Sequence, residues 1–149
     1  MKRHTMKRLA ILLFLVVVSS NGVKAQGKTK IYGGEHYGQF LGCFDCDSQT
    51  PNSIWNQFSD YGTAHSPTSI WNELGKYGSV KSNYSPYNPK AKYPPKVVDG
   101  NGKLLGFLTV NKANPNRLEG SIADLICFRR EMVLQDGVEV YGALFEKVN

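Results

Sequence analysis

The sequence predicts an α+β protein in which a small antiparallel sheet from two hairpins is interrupted by an irregular excursion and followed by one C-terminal helix. Three observations predict this fold class. Runs of strand-forming residues flank turn dipeptides on either side of the middle of the chain. Six of the seven prolines lie between residues 51 and 95, which disfavours long helices and regular ladders there. From residue 121 onwards, apolar residues recur at helical spacing.

The first 25 residues have the layout of a secretory signal peptide. A basic segment, residues 1–8, is followed by ten uninterrupted apolar residues, 9–18, and by small residues up to Ala25. Ten residues rise about 15 Å as a helix, which is too short for a hydrocarbon core of about 30 Å. We therefore expect cleavage between Ala25 and Gln26, a secreted or periplasmic protein without a transmembrane span, and a single mature domain over residues 26–149.

Most of the formal charge of +6 lies in this leader. Five of the 18 Lys and Arg residues precede residue 26, where no Asp or Glu occurs, so the mature chain is nearly neutral. Proteins that bind nucleic acid usually carry a strong excess of basic residues. The composition therefore disfavours nucleic acid as a partner.

Two hairpins are predicted from the turn residues that interrupt apolar runs. The first spans residues 31–42, and the second spans residues 97–110 with Asp-Gly-Asn-Gly at residues 99–102. Asp-Gly and Asn-Gly tolerate the positive φ of tight hairpin turns. The hairpins share the pattern Gly-x-x-Leu-Gly, at residues 38–42 and 102–106. We hypothesise that their strands belong to one sheet, which the intervening chain leaves and re-enters.

A 16-residue period runs through residues 53–95. Ser-Ile-Trp-Asn at residues 53–56 recurs at residues 69–72 and, as Ser-Pro-Tyr-Asn, at residues 85–88, and a tyrosine follows each serine by eight residues. Asn, Gly and Pro disfavour strands, and one continuous helix would place the two tryptophans on opposite faces. We predict three similar units, each starting with a short helical turn that its serine caps, with Gly75 ending the second turn and the first ring of each unit pointing inward.

The C-terminal segment is predicted to be mainly helical. Apolar residues at helical spacing indicate a helix over residues 121–134, with Ser121 as a possible N-cap and Gly137 as its end. Residues 138–145 are predicted to form a last strand.

Several motifs are distinctive: Phe-Leu-Gly-Cys-x-x-Cys at residues 40–46, the tandem Ser-Ile-Trp-Asn…Tyr-Gly units, Ser-Pro-Tyr-Asn, Pro-Pro-x-Val-Val-Asp at residues 94–99, and Gly-x-Leu-Thr-Val-Asn at residues 106–111. Together they resemble a group of small exported bacterial proteins of unknown function. The resemblance spans residues 40–111. It implies export and a bacterial source, but it supplies no activity and no catalytic residue.

The three cysteines allow structural, metal-binding or redox roles. In an oxidising compartment we expect a structural disulfide, either between Cys43 and Cys46 or between one of these and Cys127, which would otherwise be a core residue. The CxxC motif precedes a loop and lacks the long helix of a thioredoxin-type pair. Zinc would require Cys127 and His36 or His65 as further ligands. A thiol-redox or zinc-binding protein centred on Cys43 and Cys46 is the alternative function.

Eight aromatic residues between residues 53 and 93 suit either a core or a ligand surface. We assign Trp55, Trp71 and the isoleucines before them to the core, because a segment without ladders needs large buried side chains. Tyrosine can bury its ring and expose its hydroxyl, and aromatic faces stack on sugar rings and protein partners. The candidate ligand-binding residues are Tyr61, Tyr77, Tyr84, Tyr87, Tyr93, Lys76 and Lys81.

No nucleophile–base arrangement occurs in the sequence, so we assign no catalytic residue, no cofactor and no metal ligand. We expect a non-enzymatic binding or interaction module of the cell envelope. Its partner would be another protein or a glycan.

Overall fold

Four short strands form one antiparallel sheet in the computed structural model, which describes residues 27–148. β1 (Lys30–Gly33) and β2 (Gln39–Cys43) make the first hairpin, and β3 (Lys96–Val98) and β4 (Leu104–Phe107) make the second. The strand order is β2-β1-β3-β4, so the pairing of β1 with β3 joins both hairpins. The α+β class and the single sheet are confirmed. The predicted signal peptide lies outside the described residues.

The second hairpin is shorter than predicted, because β4 ends at Phe107. Phe107 pairs with Lys96, and the two residues before Lys96 are prolines, which cannot donate to a ladder. Beyond the strand, the amide of Val110 donates to the carbonyl of Pro86 at 2.8 Å. The chain therefore leaves the sheet and packs along the repeat segment.

The 16-residue units contain consecutive turns instead of the predicted helical turns. In each turn a carbonyl accepts a hydrogen bond from the amide three residues later, and the next turn starts at that later residue. The turn positions are Thr50, Ser53, Asn56, Ser59 and Gly62 in the first unit and Ser66, Ser69, Asn72, Gly75 and Gly78 in the second. No helix lies between β2 and β3 in the described chain, so the prediction of helical turns is wrong, although the first serine of each unit does accept the amide that a capping serine would.

Side chains explain why turns replace a helix. The first serine of each unit accepts the amide of the ring residue two positions later, at 3.0 Å for Trp55 and 3.1 Å for Trp71 and Tyr87. Asn56 and Asn72 each donate Nδ2–H to the carbonyl six residues earlier, at 3.2 and 3.0 Å. Serine and asparagine thus bind backbone groups that a helix would pair internally.

The two tryptophans are fully buried, as are the isoleucines that precede them, which confirms their assignment to the core. The Trp55 and Trp71 ring centroids are 5.5 Å apart. Each indole N–H donates to a carbonyl of the preceding segment: Trp55 to Phe44 at 2.8 Å and Trp71 to Ile54 at 2.7 Å. Successive units are therefore joined by both ring packing and hydrogen bonds.

Three short helices and a 3₁₀ helix replace the predicted single helix and last strand. They are α1 (Ser121–Phe128), α2 (Arg130–Asp136), α3 (Val138–Gly142) and the 3₁₀ helix (Ala143–Val148). Gly137 ends α2 with φ 94°, as predicted, but no side chain caps α1, and Ser121 is its first residue rather than its N-cap. None of the described helices is long and apolar enough to cross a membrane.

The predicted strand over residues 138–145 is wrong because the core favours a helical arrangement there. Tyr141 and Phe145 both pack on the ring of Trp55, with centroid distances of 6.3 and 6.1 Å, and Val138 is buried. In a strand, Val138 and Tyr141 would point to opposite faces, and Tyr141 and Phe145 would lie about 13 Å apart along the chain, which is too far for both to contact one ring. Contact with Trp55 therefore requires helical geometry.

Gly78→Ala is expected to destabilise the fold. A Cβ at position 78 would lie 2.1 Å from the carbonyl oxygen of Asn72 and 2.8 Å from that of Ile70, and a side-chain rotation cannot relieve overlap with backbone atoms. We expect the free energy of unfolding, measured by urea titration, to fall by about 2 kcal/mol or more. Gly38→Ala is the matched control, since nothing lies within 4 Å of its added Cβ. Equal stabilities of the two variants would contradict this packing.

Candidate ligand-binding face

Tyrosine rings and lysine ammonium groups from distant parts of the chain form two sets of contacts at the surface, and the hydrogen bond from Tyr93 to Glu35 brings one set against the β1–β2 turn that carries the other. They come from the repeat segment and from the sheet next to it. We call the following seven residues the tyrosine–lysine face: Tyr32, Tyr37, Lys76, Tyr84, Lys92, Tyr93 and Lys96. Three of these, Lys76, Tyr84 and Tyr93, were predicted from the sequence.

The repeat half of the face is a stacked pair of tyrosines with lysines over the rings. The Tyr84 and Tyr93 rings are nearly parallel, with centroids 5.7 Å apart and planes inclined by 16°. The ammonium group of Lys76 lies 4.2 Å from the centre of the Tyr84 ring, and that of Lys92 lies 5.1 Å from the Tyr93 ring. The Tyr93 hydroxyl donates to Glu35 at 2.9 Å, which fixes the ring against the β1–β2 turn.

The sheet half of the face borders a cavity of about 250 Å³. Tyr32, Tyr37, Lys30 and Lys96 line one side of it, and the turn of the second hairpin lines the other. The ammonium group of Lys96 lies 5.3 Å from the centre of the Tyr37 ring and 6.0 Å from that of Tyr32. Aromatic walls and cationic groups therefore meet at a concave site.

Two groups of the face, Tyr37 and Lys92, have raised pKa values. Burial raises the pKa of Tyr37, and its proximity to Tyr93 adds to the rise. The pKa of Lys92 is also raised, chiefly by its hydrogen bond to Tyr93. Tyr37 is therefore uncharged and Lys92 is protonated over the physiological pH range.

Tyr61 and Lys81 do not join the face, and Tyr77 borders it only from the core, where the ammonium group of Lys76 lies 5.4 Å from its ring centre. The Tyr61 ring packs edge-on against Phe40, with centroids 5.0 Å apart, and Tyr61 borders the core. Tyr77 is buried in the core cluster, so its expected outward orientation is wrong. Lys81 is exposed, and its amide donates to Ser79.

Tyr87 is also buried, so its assignment to a ligand surface is wrong. The separate prediction that the first ring of each unit points inward is correct for Tyr87. The guanidinium of Arg130 lies 4.1 Å from the Tyr87 ring centre and forms a 3.1 Å ion pair with Glu73. Burial raises the pKa of Tyr87 well above its usual value. The 16-residue alignment already indicated that Tyr87 points inward, because Tyr87 occupies the same position in its unit as Trp55 and Trp71.

Sequence reasoning missed Tyr32, Tyr37, Lys92 and Lys96 as members of the face. Two of the four are tyrosines in the first hairpin, and Tyr37 adopts φ 54° in its turn, an uncommon backbone conformation for a tyrosine. Lys96 lies in the tyrosine–lysine face because it pairs with Tyr32 where β1 and β3 run side by side. The pairing of the two hairpins brings Lys96 next to Tyr32, whereas Lys92 is the sequence neighbour of Tyr93.

Cys43 and Cys46 form a disulfide with Cα atoms 5.6 Å apart, and both residues are buried. Asp45, between them, accepts hydrogen bonds from the Thr29 amide and hydroxyl at 2.7 and 2.9 Å. The ligand atoms of Cys43, Asp45 and Cys46 lie within 4.8 Å of one another, but disulfide sulfurs carry no thiolate for a metal ion. The arrangement fits a structural crosslink that holds the start of the described chain.

Cys127 is a buried free thiol in α1, so the proposed pairing of Cys127 with either other cysteine is wrong. Burial raises its pKa to about 12. A thiol with such a pKa stays protonated at neutral pH and is a poor nucleophile. Its position in the apolar stripe confirms the core assignment.

Comparison with known proteins identifies no match: no family model, curated protein or solved structure is similar to this chain.

The cysteines give a simple test of the crosslink. Without reductant, the native protein should show almost no reaction with a thiol reagent at neutral pH, and the guanidinium-unfolded protein should show one thiol, because only Cys127 is free. Reduction of the unfolded protein should raise the number to three. Cys127→Ala should remove the single thiol of the unreduced protein. Three reactive thiols before reduction would contradict the disulfide.

Proposed function

We propose that this protein is an exported, non-enzymatic binding module of the bacterial cell envelope whose tyrosine–lysine face holds a glycan with carboxylate groups. The single observation that carries the proposal is the convergence of four tyrosine rings and three lysines from separate segments on one partly concave surface. A set of contacts that spans four segments suits an extended ligand.

The rings favour a sugar over a small inorganic anion. Tyr84 and Tyr93 present adjacent, nearly parallel rings, and each side chain is only partly buried. Aromatic faces provide apolar contact area for the C–H faces of sugar rings, while tyrosine hydroxyls can hydrogen-bond sugar hydroxyls. A chain of sugars could contact the stacked pair and the cavity beside Tyr37 together.

The charges favour an acidic glycan over a neutral one. Lys76, Lys92 and Lys96 lie against the rings. Two acids lie nearby, and both are already engaged: Glu35 accepts from the Tyr93 hydroxyl, and Asp99, which lines the cavity, accepts from the amides of Asn101 and Lys103. Contact with a ring also restrains each lysine, so binding an anion costs less side-chain entropy. Carboxylates along a sugar chain match this spacing of cations.

The rival function, a thiol-redox or zinc-binding protein, has less support. Cys43 and Cys46 are each no more than 3% exposed, which hinders attack by a partner thiol on their disulfide. Asp45 is already engaged by Thr29. Ready reduction of the disulfide in the native protein, or a stoichiometric zinc ion in the purified protein, would favour this rival over the binding module.

Glycan binding is tested by calorimetric titration of the protein purified from residue 26 onwards with oligogalacturonate and, as a neutral reference, maltoheptaose. We expect binding of the acidic oligomer that weakens with added salt, because ion pairs contribute. Tyr93→Ala and Lys76→Gln should each weaken it about tenfold, equivalent to about 1.4 kcal/mol. Stronger binding of maltoheptaose, or no effect of either substitution, would contradict the proposal.

Phe58→Ala is the matched control for loss of an aromatic side chain. Phe58 is 90% exposed and contacts no residue of the tyrosine–lysine face. Its removal should leave oligogalacturonate affinity unchanged. If the protein binds neither oligomer, and an envelope protein captures it only when Tyr93 is present, then the partner is a protein and not a glycan.

Export belongs to the same proposal and has a separate test. The leader's basic start and apolar run support recognition by the secretion machinery. Bacteria expressing the full chain should release or hold in the periplasm a protein whose N-terminal residue is Gln26, as determined by intact mass and N-terminal sequencing. Leu13→Arg, which interrupts the apolar run, should leave the uncleaved chain in the cytoplasm. An intact N-terminus outside the cytoplasm would refute the predicted cleavage.

A further inference from the structure

A second surface, separate from the tyrosine–lysine face, combines an apolar strip with an excess of positive charge. It is a groove of about 640 Å³ between α1, α2 and the chain that follows β4. This volume lies within the range of about 300–1000 Å³ that is usual for small-molecule sites. The residues that matter are Leu125, Phe128 and Met132 on the helices, and Lys112, Arg117 and Arg129 around them.

The apolar strip follows one side of the helices across their break. Leu125, Phe128 and Met132 are three and four residues apart, and the latter two are 37% and 42% exposed. The opposite side of the same helices enters the core through Ile126 and Val133. Leu125 is partly buried and also packs against the core, so Phe128 and Met132 supply the exposed part of the strip.

The charges around the strip are only partly balanced. Arg117 pairs with Asp124 at 3.1 Å and with Glu119 at 3.9 Å. Neither Lys112 nor Arg129 forms a salt bridge within residues 27–148. Two cations thus remain to attract an anion.

The cations lie directly beside the apolar strip. The ammonium group of Lys112 is 5.3 Å from the centre of the Phe128 ring, and the guanidinium of Arg117 is 5.7 Å from it. A ligand whose charged end meets these groups would therefore place its adjoining atoms on Phe128. The site suits a molecule with one anionic end and one apolar end.

We propose that this groove binds a soluble amphiphilic anion, an alkyl carboxylate of fatty-acid type, with its carboxylate at Lys112 and Arg129 and its chain along Phe128 and Met132. Charge complementarity selects the anionic head, and the strip selects an alkyl chain. Affinity should rise about fourfold for each methylene buried. The inference does not depend on the proposed glycan function, because the two sites share no residue.

Calorimetric titration with sodium decanoate, below its micelle concentration, tests the site on the protein purified from residue 26 onwards. We expect one-to-one binding that is stronger than that of octanoate. The double variant Lys112→Gln/Arg129→Gln should weaken decanoate binding about tenfold or more. Met132→Gln, which keeps the side-chain length, should reduce the gain from octanoate to decanoate.

Matched controls separate this site from general surfactant binding. Lys90→Gln/Lys103→Gln neutralises two exposed lysines outside the groove and should leave decanoate affinity unchanged. Tyr93→Ala should also leave it unchanged, which distinguishes failure here from failure of the glycan proposal. Urea unfolding of every variant verifies that its fold is retained.

Three results would overturn the inference. The first is equal affinity for decanoate and decyltrimethylammonium, which would show that charge does not select the head. The second is retention of decanoate binding in the Lys112→Gln/Arg129→Gln variant. The third is binding to anionic phosphatidylglycerol vesicles without binding to monomeric decanoate, which would indicate a membrane surface instead of a free amphiphile.

Discussion

Burial of two indole rings, each hydrogen-bonded to the preceding segment, is the constraint on which the rest of this structure depends. A Gly/Pro-rich segment without ladders has few backbone bonds to hold one unit against another. Trp55 and Trp71 supply both a 5.5 Å ring contact and N–H donors to the carbonyls of Phe44 and Ile54. Trp55 also receives Tyr141, so the same ring attaches the C-terminal helices.

The third unit departs from this pattern, and that departure creates the candidate site. Tyr87 replaces an indole, and its buried hydroxyl has no hydrogen-bond partner within the described chain, while Arg130 covers its ring. Further along the unit, the amide of Tyr93 donates to the carbonyl of Asn83 at 2.8 Å, which brings Tyr93 beside Tyr84. In the first unit the amide of Tyr61 instead donates to its own Ser59 hydroxyl. A degraded repeat thus exposes the stacked rings that intact units lack.

The sequence predicted the features that neighbouring residues determine and missed those that depend on pairing between distant segments. Turn dipeptides located both hairpins, and the 16-residue period assigned Trp55 and Trp71 to the core. The same period indicated that Tyr87 is inward, although its residue type suggested a surface role. Lys96 joined the face only through its register with Tyr32, which no local pattern specifies. The segment after residue 137 looked like a strand because a short apolar run does not distinguish strand from helix.

The near-neutral charge of residues 26–149 does not prevent either proposed site from attracting anions. Residues 76–112 contain seven lysines and one acidic residue, whereas residues 131–146 contain four acidic residues and no Lys or Arg. At physiological salt, charges interact over about 8 Å, so acids beyond that distance hardly cancel the lysines near a bound ligand. Local clusters of charged residues, rather than the net charge of the protein, therefore decide which ions bind. The composition disfavours an extended nucleic-acid-binding surface, but it is compatible with short anionic ligands held by two or three restrained cations.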